Sequence, residues 1–454
     1  MDQIDLYLED IKNMVWGIPL LVLLIGTGVF LTFALKGVQF RYLWYAVKQV
    51  FTPQKGKVQG DISHFDALMT SLAGAIGTGT IVGVATAIAI GGLGSMFWMW
   101  ITAFVGMATK YSESLLAVKY RQMDDNGEMM GGPMQYIEKG LGWKWMAMIF
   151  AAFGCFAAIG TGNLVQVNAI SEASGIFWNL NPWMNGVIIA VLTGLVILGG
   201  VKSIGHVAGV LVPIMALFYI GAGLVIIIYN FDQVPQALAD IMTSAFQGQA
   251  AFGGFAGASV MLAIQMGVAR SVISNEAGLG ISSIAAAAAK TDSPARQALI
   301  TMTGALISTV IVCSITGLVL AVTGVHGKTL ESGQAISGAS MAIEAFNTTI
   351  SGGAYIVAIG LILFAFSTVI AWGYYGEKCC EYLFGSSSIW IYRIIYTLVI
   401  IPGAALKMEV VWLIADILNG LMAIPNLIAL VGLSSVIIAE TNLFLRTVKD
   451  EQRG

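Results

Sequence analysis

The chain has 454 residues, 57% of them hydrophobic and 10% charged, and its mean hydropathy is +0.83. Soluble proteins carry about 25% charged residues, so a single water-soluble core is excluded. The 54 glycines follow no Gly-X-Y period, which excludes collagen. A net charge of −3 argues against nucleic acid as a partner.

The first segment, MDQIDLYLEDIKNM, is acidic and lacks the basic start and cleavage site of a signal peptide. The apolar run behind it is therefore expected to stay. A helix needs about 20 apolar residues to cross a bilayer. Such runs lie near 14–35, 66–90, 92–118, 143–171, 184–201, 205–229, 254–288, 297–323, 354–377, 389–406 and 410–440. They predict an all-α polytopic membrane protein with about eleven transmembrane helices. Residues 38–52, aromatic, basic and too short to cross, read as a helix lying in the lipid interface.

Of the 22 Lys and Arg, Lys110 and Arg270 fall inside spans, seventeen fall on one side, and Lys12, Lys328 and Lys407 fall on the other. Positive charge marks the cytoplasmic face. The N-terminus is then outside and the C-terminus inside a cell membrane, which demands an odd number of crossings.

Two spans break in a similar way. In 71–89, Gly74, Gly77, Gly79 and Gly83 surround Thr78 and Thr80 at mid-span. In 260–280, counting about 1.5 Å per residue from an entry at 254 puts mid-membrane near Gln265 to Gly267. Unwound backbone in lipid must find partners, and matched interruptions in two halves mark a transport site. Helix N-termini suit a carboxylate and C-termini a cation. Five spans start at the first break and five at the second. That organisation is an inverted repeat behind one leading helix, with divisions at 1–65, 66–230, 231–253, 254–445 and 446–454.

Ser367 and Thr368 lie mid-span and could complete an oxygen shell for a hard cation; back-bonding to their own helix is the competing reading. Asn163 and Gln166 are amides within a span, suited either to lining a pocket or to joining helices. Trp372, one turn beyond Thr368, could wall the pocket or simply pack. Arg270 and Glu276 are assigned to the inner half of the second broken helix, as a gate on the cytoplasmic path or a structural pair. Lys110 and Glu113, three apart, are expected to pair. No carboxylate is expected at the depth of both breaks, which favours sodium over a proton. The histidines His64, His206 and His326 have no metal-ligand spacing, so the sequence offers no support for an enzyme.

The segments GGLGSMFWMWITAFVGMATKY (91–111), GGPMQYIEKGLG (131–142) and SNEAGLG (274–280) resemble the motifs of the alanine or glycine:cation symporter family. With the span pattern, the likeness covers essentially the whole chain. The resemblance implies the five-plus-five inverted repeat of the leucine-transporter fold, co-transported sodium, no organic cofactor, and alanine or glycine as substrate. It implies that the substrate carboxylate meets the amides of Thr78 and Gly79, beside Gly77. Sodium would lie among the carbonyls of Ala73, Ile76 and Phe364 and the hydroxyls of Ser367 and Thr368. The carbonyls of Gln265 to Val268, including Gly267, would take the ammonium. The expected function is sodium-coupled import of small neutral amino acids. The alternative is a proton-coupled amino acid transporter of the same fold.

Overall fold

The computed structural model describes residues 3–52, 58–247, 256–328, 336–406 and 408–451. Lys55, Lys57, Lys407 and Arg453, which enter the charge bias above, lie outside them. The elements in chain order begin with α1 (Gln3–Val15), α2 (Ile18–Ala34), α3 (Val38–Arg41) and α4 (Leu43–Val50). Then come α5 (His64–Ala75), α6 (Val82–Gly91), α7 (Gly94–Lys119), the hairpin β1 (Gln122–Met123) and β2 (Met129–Met130), and α8 (Pro133–Leu141). Next are α9 (Lys144–Ala157), α10 (Val165–Trp178), α11 (Pro182–Ile197), α12 (Gly200–Tyr229) and α13 (Val234–Gln247). The second half holds α14 (Ala256–Asn275), α15 (Ser283–Ala287), α16 (Pro294–Ala305), α17 (Ser314–Val322) and α18 (Gly338–Asn347). It ends with α19 (Gly353–Phe384), α20 (Ser388–Gly403), α21 (Met408–Gly432) and α22 (Ser434–Glu451).

Six stretches among the described residues are long and apolar enough to cross a membrane, and four shorter apolar helices accompany them. The shorter ones include α6 and the apolar part of α14, each of which is one limb of a broken crossing. Counted with their partners and with α7, these helices account for the eleven crossings expected. The last expected span is shorter than 410–440: α21 stops at Gly432, and α22 begins a new helix at Ser434. The short interfacial helix expected at 38–52 is split into α3 and α4 at Tyr42.

The first break falls where the glycines predict it. Helix α5 ends at Ala75, Ile76 and Gly77 leave helical geometry, and Thr78–Thr80 form one 3-10 turn before α6. The second break requires a correction. Helix α14 runs unbroken through Gln265 and Gly267 to Asn275, and the chain unwinds only at 276–282. Glu276, Gly278 and Gly280 there adopt positive φ of 60°, 95° and 77°. Glycine accepts such angles freely, whereas a glutamate accepts them at a cost. The crossing is longer than a straight span, so depth counted from its start falls short of the break.

The polar ends differ. At the basic end, Lys378 is fully buried among Asp124, Glu128 and Glu381, at 3.0, 3.2 and 2.9 Å. Beside it Arg393 grips Glu377 with two bonds of 2.6 and 2.9 Å. Arg121 donates to the carbonyls of Ala287, Ala289 and Gln59. These contacts tie the β1–β2 loop, the segment before α5 and the end of α15 to α19 and α20. At the opposite end, a cavity of about 400 Å³ opens beside α1, lined by Asp5, Glu9, Lys12, Gly83, Arg270 and Asp416 among others.

Candidate functional site

The first break packs against the middle of α19. Thr368 Oγ1 donates to the Ala73 carbonyl at 2.9 Å and to the Phe364 carbonyl at 3.0 Å. Ser367 Oγ donates to the same two carbonyls at 3.3 and 2.8 Å. The bonds to Phe364 are the back-bonds expected of Ser and Thr within a helix. Those to Ala73 cross between helices. Four neutral oxygens thus converge in a buried spot next to unwound backbone. Oxygen sets of this kind suit a hard cation, with the hydroxyls turning their lone pairs toward it. Ile76 is fully buried within the same break.

Gly77 leaves no room for a side chain: a Cβ there would lie 2.5 Å from Thr368 Oγ1 and 3.1 Å from Gln166 Oε1. Gln166 has a specific position. Its Oε1 accepts the backbone N–H of Thr78 at 3.2 Å, and its Nε2 donates to the Thr161 carbonyl at 3.1 Å. That carbonyl lies in a π-helical stretch, Ala158–Leu164, joining α9 to α10. A π segment shifts the carbonyls out of the α-helical ladder and recurs at functional sites. The sequence reading found the amide but missed the π turn that aims it. The signal available was Gly-Thr-Gly at 160–162.

Trp372 completes the wall. Its Nε1 donates to the Gly74 carbonyl at 3.3 Å. A side chain on Gly162 would overlap its ring, so the indole and the π segment are in close contact. Gly79 faces Ile273 across the gap to α14, with the Ser274 amide nearby. Thr78 Oγ1 is buried and has no hydrogen-bond partner among the described residues.

Other candidate residues stand apart from this cluster. Asn163 is buried but donates to the Tyr396 carbonyl at 2.7 Å, joining helices. Gln265 donates to the Trp16 carbonyl at 3.2 Å, and Gly267 packs on Ser95 and Trp98. The structure does not bring Gln265 or Gly267 to Thr78, because α14 is still helical at their level. Arg270 also moves: it lies 3.7 Å from Asp416 and over the Trp412 ring, in the cavity next to α1. It sits on the limb before the break, at the end opposite the basic one. Glu276 is in the break itself, fully buried, and its Oε1 lies 3.0 Å from where a Gly74 Cβ would stand. A carboxylate in the second break therefore lies beside the last turn of α5, just before the first break, contrary to the expectation. The expected Lys110–Glu113 pair is not formed. Lys110 donates to the Asn275 carbonyl at 2.8 Å, while Glu113 accepts from Gly278 N–H and from Asn426.

Two broken helices, crossing in a bundle with an oxygen cluster at one break, define a secondary transporter of the leucine-transporter fold. The solved structure of MhsT in complex with L-phenylalanine superposes over 86% of this chain and 99% of its own, with TM-score 0.57 at 13% identity. The Methanococcus maripaludis sodium/alanine symporter AgcS is 50% identical over the full length of both chains. A probable sodium/glutamine symporter, GlnT of Bacillus subtilis, is 37% identical over 99% of this chain and 92% of its own. The profile of the sodium:alanine symporter family matches residues 1–454. The chain belongs to that family, whose members are transporters rather than enzymes, and it is a multi-pass membrane protein.

Proposed function

We propose that this protein imports small neutral amino acids, alanine or glycine, together with sodium across the cell membrane. The observation carrying this reading is the convergence of Ser367 and Thr368 hydroxyls on the Ala73 carbonyl at the first break. Sodium binds among these oxygens, the Phe364 carbonyl and the Ile76 carbonyl, and holds the unwound segment against α19. The substrate carboxylate takes the amides of Thr78 and Gly79. Gln166 holds the Thr78 amide and yields it to that carboxylate. Trp372 and the absent side chains of Gly77 and Gly79 limit the space, which favours a methyl or a hydrogen over a branched chain.

The charge bias supports the basic end as cytoplasmic, with the N-terminus outside and the C-terminus inside. The Lys378, Arg393 and Arg121 contacts then seal the inner path. Arg270 and Asp416 guard the outer one, within a cavity that leads toward Gly83. Alternating access is the exchange of these two closures around the breaks.

The test is uptake of labelled alanine into proteoliposomes with and without an inward sodium gradient. Accumulation above the outside concentration only with the gradient supports coupling. Uptake unaffected by sodium overturns it. Equal uptake of leucine and alanine would overturn the size limit. The similarity to GlnT makes glutamine the first competitor to include.

A further inference from the structure

We propose that Glu276 holds a second monovalent cation, distinct from the sodium beside Ser367 and Thr368, and that this cation is carried with the substrate. The inference rests on the symport reading above. Glu276 is fully buried, and neither of its carboxylate oxygens has a hydrogen-bond partner among the described residues. An anion so placed in a membrane interior is costly unless something positive meets it.

The neighbours do not supply that charge in full. From α7 come Lys110 and Glu113, both fully buried, within electrostatic reach of each other, and Lys110 also of Glu276. Lys110 lies beyond 4 Å of either acid, since no ion pair joins them among the described residues, and its ammonium is bonded to the Asn275 carbonyl. Glu113 is held as an acceptor by the Gly278 N–H at 2.8 Å and Asn426 at 2.7 Å. Asn426 in turn accepts from Tyr136 of α8. From α19, Tyr375 donates its hydroxyl to the Thr70 carbonyl, and the Trp372 indole, which also approaches the Glu276 carboxylate, donates to the Gly74 carbonyl. From α5 the neighbour is Gly74. One base against two acids leaves one negative charge unbalanced when both acids are ionised. One monovalent cation, sodium or a proton, restores neutrality.

The place also has oxygen to offer. Ser282 Oγ, at the far edge of the same break, approaches the carboxylate without bonding geometry and has no hydrogen-bond partner among the described residues. Glu113 Oε2 likewise has none. Glu276 is held at φ 60°, a left-handed conformation that a glutamate adopts only under strain. The backbone there fixes the carboxylate against Gly74 of the other broken helix. A cation seated between the two breaks loses its seat when the helices separate, so it travels with the substrate rather than staying behind.

The experiment measures how many charges cross with each alanine. Reversal of alanine flux is recorded in proteoliposomes as the membrane potential is stepped at fixed sodium and alanine gradients. Two charges per alanine are expected for the wild type and one for Glu276→Gln, which keeps shape but not charge. One charge per alanine in the wild type, or two in Glu276→Gln, overturns the proposal. Should Glu276→Gln not fold, the wild-type ratio still decides, and Glu276→Asp, expected to keep two charges with weaker cation dependence, replaces it. Two arms separate the cations. Potential-independent proton uptake in weak buffer on adding sodium and alanine identifies a proton, whereas two sodium-22 ions bound per protein identify sodium. Neither result overturns the proposal. Absence of both does. Wild-type uptake indifferent to sodium would instead defeat the symport reading, a separate outcome.

Discussion

Thr368→Val is the sharpest test of the ion site, because valine keeps the side-chain volume and removes only an oxygen. Thr368 Oγ1 makes one bond that leaves its own helix, to the Ala73 carbonyl at 2.9 Å. Its second bond, to Phe364, is local. The Ala73 carbonyl keeps only Ser367, at 3.3 Å. Loss of one neutral hydrogen bond costs about 1 kcal/mol of stability. With sodium present the same oxygen faces a full charge, where such a contact contributes about 1.5–3 kcal/mol. The difference, about 0.5–2 kcal/mol, sets the change in affinity, so at about 1.4 kcal/mol per factor of ten the sodium concentration for half-maximal alanine uptake rises roughly 2- to 30-fold. The assay is initial alanine uptake over a sodium series with choline replacement, alongside thermal unfolding in detergent. A sodium dependence unchanged within about twofold, with the protein intact, would refute the placement of sodium at this cluster.

Gly77→Ala brings a Cβ to 2.5 Å from Thr368 Oγ1 and 3.1 Å from Gln166 Oε1; alanine binding by scintillation proximity should vanish, and retained binding would move the substrate elsewhere. Gln166→Ala frees the Thr78 amide of a bond worth about 1 kcal/mol, so alanine should bind about fivefold tighter by calorimetry; weaker binding would mean that Gln166 grips the substrate directly. Lys378→Gln leaves Asp124, Glu128 and Glu381 without their shared cation, an imbalance costing about 3–5 kcal/mol, to be read as a fall in unfolding temperature; an unchanged temperature contradicts the seal. Asp124 adds a pH signature. Burial raises its carboxyl, but the Glu128 N–H and Lys378 outweigh that and hold it below the ordinary 3.8. Its contribution is complete above that ordinary value and is lost as pH falls through the depressed one. Thermal stability should therefore lose an Asp124-dependent part only below about pH 4, and Asp124→Asn should remove that part.

The first break was legible because its glycines cluster where the span is half crossed, and because Thr and Gly cannot hold a helix against α19 oxygens that offer partners. The second was misread for a physical reason. Depth was counted along a straight crossing, while the stronger local signal lay in Glu276-Ala-Gly278-Leu-Gly280, two glycines spaced to take left-handed angles. That shift moved Arg270 to the opposite end and Glu276 into the centre. Hydroxyls at 367 and 368 were legible from depth alone. Asn163 was not, since an amide that ties two helices and one that faces a ligand look alike in sequence. The π segment at Ala158–Leu164 has no reliable sequence period, which is why the aim of Gln166 toward Thr78 had to be read from coordinates.

The bond from Thr78 N–H to Gln166 Oε1 has a further implication. Under the proposed function, Gln166 is a tethered rival for the Thr78 amide, so an incoming zwitterion displaces it rather than filling an open berth. The affinity then measured is a difference between two occupants of one amide, and the strength of the decoy's grip sets it.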